Sequence, residues 1–75
     1  MSPEEGDRVM LVRGKDEDLG TVVLVEEQLG GGVWTRIRWD AEHPWWFRPA
    51  RLPRWIHVHR LEPHPVADGC WFAFD

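Results

Sequence analysis

The residues of this chain with the most to offer chemically are aromatic. Trp34, Trp45, Trp46, Phe47 and Trp55 stand among Arg48, Arg54 and the prolines Pro44, Pro49 and Pro53. Indole and phenyl faces beside guanidinium groups and prolines suit a groove for an extended or proline-rich peptide, or a cage for a methylated cation. The same rings also suit a second apolar cluster plugging one end of a small fold, because burying an indole stabilises at about 25 cal/mol per Å². Six tryptophans and no tyrosine in 75 residues sharpen that choice, since Trp both fills small cores and dominates binding hot spots.

Three other chemistries can be weighed on residue types alone. Arg36, Arg38, Arg48, Arg51, Arg54 and Arg60 occupy the second half of the chain, where they could meet phosphates while tryptophans stack on bases. The alternative is a solvated charged face with cross-strand pairs. His57 and His59 form an H-x-H pair with His43, His64 and Cys70 elsewhere, but no paired ligand motif of fixed spacing accompanies them, so no metal or other cofactor is expected. For catalysis the signals are missing: one cysteine without a poised histidine, no glycine-rich phosphate loop, and no carboxylate pair between apolar walls. The chain reads as a noncatalytic protein, not an enzyme.

The totals agree with a small binding module. A length of 75 residues is one domain, near the size where a single core just suffices. Cys70 is the sole cysteine, which excludes an internal disulfide framework and points to a reducing compartment. The acidic opening MSPEEGDRV has no long apolar run, so neither a secretory signal nor a membrane span is expected, and the expected location is cytoplasmic. A net charge of −4 weighs against a dedicated phosphate-backbone binder. Acidic residues gather early and arginines late, so one face can be locally basic.

These side chains must be positioned by strands. Gly20 to Asp40 reads as two strands joined by Gly30, Gly31 and Gly32, because a tight reversal needs backbone angles that glycine adopts cheaply. With Leu29 facing Val33, Val25 falls opposite Ile37, Val23 opposite Trp39 and Glu26 opposite Arg36, so apolar groups meet on one face and opposite charges on the other. Val22 and Leu24 then face outward and need a cover, since this strand is apolar on both sides. Asp7 to Arg13 reads as an earlier strand with Val9 and Leu11 on one side. GKDEDLG, Gly14 to Gly20, reads as a charged solvated loop. Three prolines make 41–54 an irregular Trp/Pro-rich connection between strands 3 and 4. Trp55 to Leu61 alternates as a fourth strand, with Ile56 and Val58 on one face and Trp55, His57 and His59 on the other. The apolar tail, residues 66–75, reads as a short fifth strand, as a cover over a groove, or as a docking segment for a homodimer.

Short strands at such spacing fit a closed antiparallel barrel, which removes sheet edges that a short chain cannot otherwise cover. Gly6, Asp7, Arg8 and Val9, then Gly20, Thr21 and Val22, then Ile37, Arg38, Trp39 and Asp40 resemble the pattern of SH3-like barrels of the KOW and Tudor type. Val12, Arg13, Gly14 and Asp16, with the same second and third segments and Phe47 and Arg48, are similar to the Mind bomb domain, a protein-binding member of that barrel class. The barrel subunits that brace photosynthetic electron-transfer complexes are similar over the same segments. The resemblance spans residues 6–62. It implies an all-β, five-stranded SH3-like barrel with a long loop between strands 3 and 4, as one domain over residues 1–75.

The expected function is protein or peptide binding, or an accessory role in an assembly, through Trp34, Trp45, Trp46, Phe47 and Trp55 with Arg48 and Arg54 at the rim. The alternative is a nucleic-acid-associated module of the KOW or Tudor kind.

Overall fold

Val9 and Leu11 alternate with Arg8, Met10 and Val12, and the first strand, β1 (Arg8–Arg13), buries Val9 and Leu11 as the alternation requires. The computed structural model describes residues 2–40 and 52–74. Among the described residues the other strands are β2 (Asp16–Glu27), β3 (Val33–Trp39), β4 (Trp55–His57), β5 (Glu62–Pro63) and β6 (Cys70–Phe74), with a 3-10 turn at Val58–Arg60. The fold is all-β, a curled half-barrel sheet of six strands where five were expected. The centre of the Trp/Pro-rich connection, 41–51, lies outside the described residues. Among the described residues no helix is long and apolar enough to cross a membrane.

The charged stretch after Gly14 is not a loop. Arg13 pairs with Asp16, so Gly14 and Lys15 alone make the reversal, and Gly14 has a φ of 58°, the left-handed conformation that two-residue hairpin turns assign to glycine. Asp16, Glu17 and Asp18 continue as strand. Their charge is compatible with a ladder because Asp16 and Glu17 are exposed, and Asp18 accepts a hydrogen bond from Arg13 at 2.7 Å.

The β2–β3 hairpin forms at the three glycines, all with positive φ, but its register differs from the expected one. Glu27 faces Val33, Glu26 faces Trp34, Val25 faces Thr35 and Leu24 faces Arg36. This is a slip of two positions, which keeps each side chain on its expected face. A β-bulge then intervenes between Val22 and Leu24, so that Val22 faces Ile37 and Gly20 faces Trp39. The bulge inverts the facing of everything before it. Val22, expected outside, is buried in the core, and Val23, expected inside opposite Trp39, is 39% exposed. The run Val22–Val25 is apolar on both faces because its inward side changes at Val23.

The sheet order is β4-β3-β2-β1-β6-β5. The tail does supply a strand, yet β6 lies parallel to β1, with Val9 beside Trp71 and Leu11 beside Ala73, in a sheet expected to be wholly antiparallel. The expected fourth strand is also shorter: it stops at His57, and the chain turns through Val58–Arg60 before Leu61 returns to the core. That turn joins β4 to β5, the two outermost strands of the order. The step from His57 to Glu62 reaches at most about 18 Å, less than the width of a flat six-stranded sheet at about 4.8 Å per strand spacing, so the sheet must curl until its edges come near each other.

The concave side holds Val9, Leu11, Val22, Ile37, Ile56, Leu61, Trp71 and Ala73, with Val25, Trp39 and Leu52 packed against them. The polar groups of Thr35, Trp39 and Trp71 in this layer have partners, as burial demands. Thr35 Oγ1 donates to the Ile56 carbonyl at 2.8 Å, Trp39 Nε1 donates to the Pro53 carbonyl at 2.9 Å, and Trp71 Nε1 donates to Asp7 Oδ2 at 2.9 Å.

Candidate binding face

Because Thr35, Ile37 and Ile56 point inward, the residues between them point to the opposite, convex side. Trp34 stands opposite His57 and Arg36 opposite Trp55 across the β3–β4 pair. The two tryptophans expected on an outer surface therefore share one face, in diagonal positions, with Arg36 and His57 completing the square. Both are half-buried.

Arg36 is set by the slipped register. Its expected partner, Glu26, faces Trp34 instead, and Arg36 has Leu24 on one side and Trp55 on the other. Its guanidinium carbon lies 5.9 Å from the centre of the Trp55 ring, within cation–π range. Across the neighbouring pair of the square the Trp34 and His57 rings meet edge to face, with centroids 5.0 Å apart and planes at 82°. His57 is itself held. Its Nδ1 accepts from the His59 backbone N–H at 3.1 Å, capping the 3-10 turn, and its ring occupies the place where a Cβ on Gly32 would sit, 2.1 Å from Nε2.

His57 and His59 are neighbours, with ring centroids 4.6 Å apart, although His59 belongs to the turn and not to a strand face. With Nδ1 of His57 engaged by a backbone N–H, the pair is a structural cap. Among the described residues no group of three His, Cys, Asp or Glu side chains is placed to hold a metal ion. Cys70 is a half-buried free thiol on β6, beside Arg8 of β1.

The bulge opens the surface next to Arg36. A shallow groove of about 450 Å³ is lined by Val23, Leu24, Arg36, Ile37 and Arg38, with Val23 and Leu24 both exposed. Arg38 lies on the same face as Arg36, two residues along β3. Asp40 follows, but both of its carboxylate oxygens accept from Arg8. Arg8 also donates to Thr21 Oγ1 at 2.6 Å, so this fork ties β1 and β2 to the end of β3. The hydrogen bond from Arg8 holds the Asp40 carboxyl below the usual carboxylate range, and the charges of Arg8 and Arg38 add to the effect; the Arg8 guanidinium is raised in turn.

Of the residues singled out by sequence, Trp34 and Trp55 lie together on the convex face. Arg54 is exposed just before β4, and its carbonyl accepts the Ile37 N–H at 2.9 Å. Trp45, Trp46, Phe47 and Arg48 lie outside the described residues. Sequence reasoning places Arg36 and Arg38 among candidate phosphate contacts, outside the aromatic site, and gives Val23 and Leu24 no binding role. The signal available for them was the doubly apolar run Val22–Val25, which marks a bulge as readily as a covered strand. The tail residues Trp71 and Ala73 are buried in the chain's own core, and Phe74 is 60% exposed.

No family model, no curated protein and no solved structure matches the chain.

Proposed function

We propose that this chain is a noncatalytic protein- or peptide-binding module, and that its curled sheet is a small barrel of the SH3-like, KOW or Tudor-like kind. The observation that carries the functional reading is the square of Trp34, His57, Arg36 and Trp55 beside an open groove floored by Val23 and Leu24. Rigid rings with accessible edges, next to apolar side chains on a regular strand, match what protein recognition enriches at interface centres. For the barrel reading, support comes from the single turn that joins the two outermost strands. In this reading Trp45, Trp46, Phe47, Arg48 and Arg54 also take part in binding, and the protein works in the cytoplasm.

The test is the accessibility of individual tryptophans. Acrylamide quenching or oxidative footprinting of the full chain is expected to find Trp34 and Trp55 partly accessible and Trp71 protected. Protection of Trp34 and Trp55 to the level of Trp71 in the monomer removes the basis of the proposal.

Exposed Arg36 and Arg38 favour a second reading, a nucleic-acid-associated module. Its signature is binding that weakens steeply with salt, and no measurable binding of an oligonucleotide at low salt eliminates it.

A further inference from the structure

We infer that the groove beside the bulge takes an acidic extended peptide, whose carboxylates meet Arg36 and Arg38 and whose apolar side chains rest on Val23 and Leu24. This inference rests on the peptide-binding reading above and adds the chemistry of the partner. The whole chain carries a net charge of −4, yet among the described residues the charged ones lining this groove are two arginines. Among the described residues no carboxylate forms an ion pair with either of them. Asp40, the nearest acidic residue along β3, is held at both oxygens by Arg8, and Glu26 stands opposite Trp34. Arg36 is braced from one side by the Trp55 ring, which limits the entropy lost when it engages an anion.

Spacing selects the conformation of the partner. Side chains two apart on a strand are separated by about 6.6–6.8 Å, so Arg36 and Arg38 present two charges at the repeat with which an extended peptide presents alternate side chains. Lying edge-on in the groove, a peptide of alternating carboxylate and apolar residues can turn its acidic face to the arginines of β3 and its apolar face to Val23 and Leu24 of β2. Arginine also suits this role because its planar fork accommodates a carboxylate with two hydrogen bonds.

The test uses the full chain, followed by amide NMR shifts, with three short synthetic probes: alternating Leu-Glu, alternating Leu-Gln, and a single-stranded oligonucleotide. The expected result is that the Leu-Glu peptide shifts Val23, Leu24, Arg36 and Arg38. Its affinity should fall about tenfold or more in an Arg36→Gln, Arg38→Gln double variant that keeps the parent melting curve, and should fall with added salt. Equal binding of the Leu-Gln peptide overturns the acidic partner while leaving an apolar peptide-binding face in place. Binding of the oligonucleotide alone at these amides overturns both readings in favour of nucleic acid. Absence of shifts at these four residues with every probe overturns the groove as a site, and the tryptophan accessibilities then decide separately whether the aromatic square survives as a surface.

Discussion

Gly20 of β2 lies directly opposite Trp39 of β3, and a Cβ there would come within 2.9 Å of Trp39 Cε3 and 2.6 Å of Ile37 Cγ2. The absent side chain is what lets the Trp39 ring lie across its neighbour strand and reach the Pro53 carbonyl. Gly20→Ala is expected to lower stability by about 1–3 kcal/mol, the usual range for overpacking. Urea unfolding should report this as a lower midpoint at unchanged slope. An unchanged midpoint means that Trp39 does not pack over Gly20.

Gly31 and Gly32 separate two costs that glycine turns usually combine. Both have positive φ, but a Cβ at Gly31 meets nothing within 4 Å, whereas at Gly32 it meets the His57 ring. Gly31→Ala should therefore cost only the backbone term of about 1–3 kcal/mol. Gly32→Ala should cost more and alter Trp34 fluorescence by displacing His57. Adding His57→Ala to Gly32→Ala should recover the difference, and a strictly additive double variant refutes the contact.

Asp40 makes stability depend on pH in a defined direction. Its carboxyl is lowered in the folded state by the hydrogen bond from Arg8, so its contribution is fully present above the unfolded-state value of about 3.9 and is lost as pH falls through the lower folded value. The pair is solvent-exposed, and salt should weaken it. Asp40→Asn is expected to be less stable than the parent at neutral pH, with the gap closing in strong acid. A gap that stays constant through the acid range assigns Asp40 a role other than this ion pair.

Thr35 is fully buried and donates to the Ile56 carbonyl at 2.8 Å. Replacing the hydroxyl by a methyl group keeps the shape and removes the donor. Thr35→Val should cost about 1 kcal/mol, within the net range of one hydrogen bond. Thr35→Ala should cost more, because a cavity is added. Denaturant midpoints of the two variants in the other order contradict the geometry.

Much of the fold is legible in the residues. Val9 and Leu11 declare β1, and Gly30–Gly32 declare the hairpin, because alternation and positive φ are local properties. The register is not local. A slip of two keeps every residue on its own face, so the match of Val25 with Ile37 and of Glu26 with Arg36 was as consistent on paper as the observed pairing. The bulge at Val23 is hidden for a related reason, since Val22, Val23, Leu24 and Val25 are apolar whichever way they point. Alternation through Trp55 to His59 extends past the true end of β4, where the imidazole of His57 caps a turn. The direction of β6 depends on contacts with β1 at the other end of the sequence. The aromatic site was half legible: strand parity places Trp34 and Trp55 together, while the release of Arg36 from Glu26 follows from the register and was out of reach.

The parallel seam between β1 and β6 bears on how the molecule is made. Residues 8–13 leave the ribosome well before Trp71 and Ala73, which complete the layer over Val9 and Leu11. Pairing of strands so distant in sequence must overcome a large loop-closure entropy and is slow. The nascent chain therefore carries an uncovered apolar face until β6 has been made, and its cooperative structure waits for that strand.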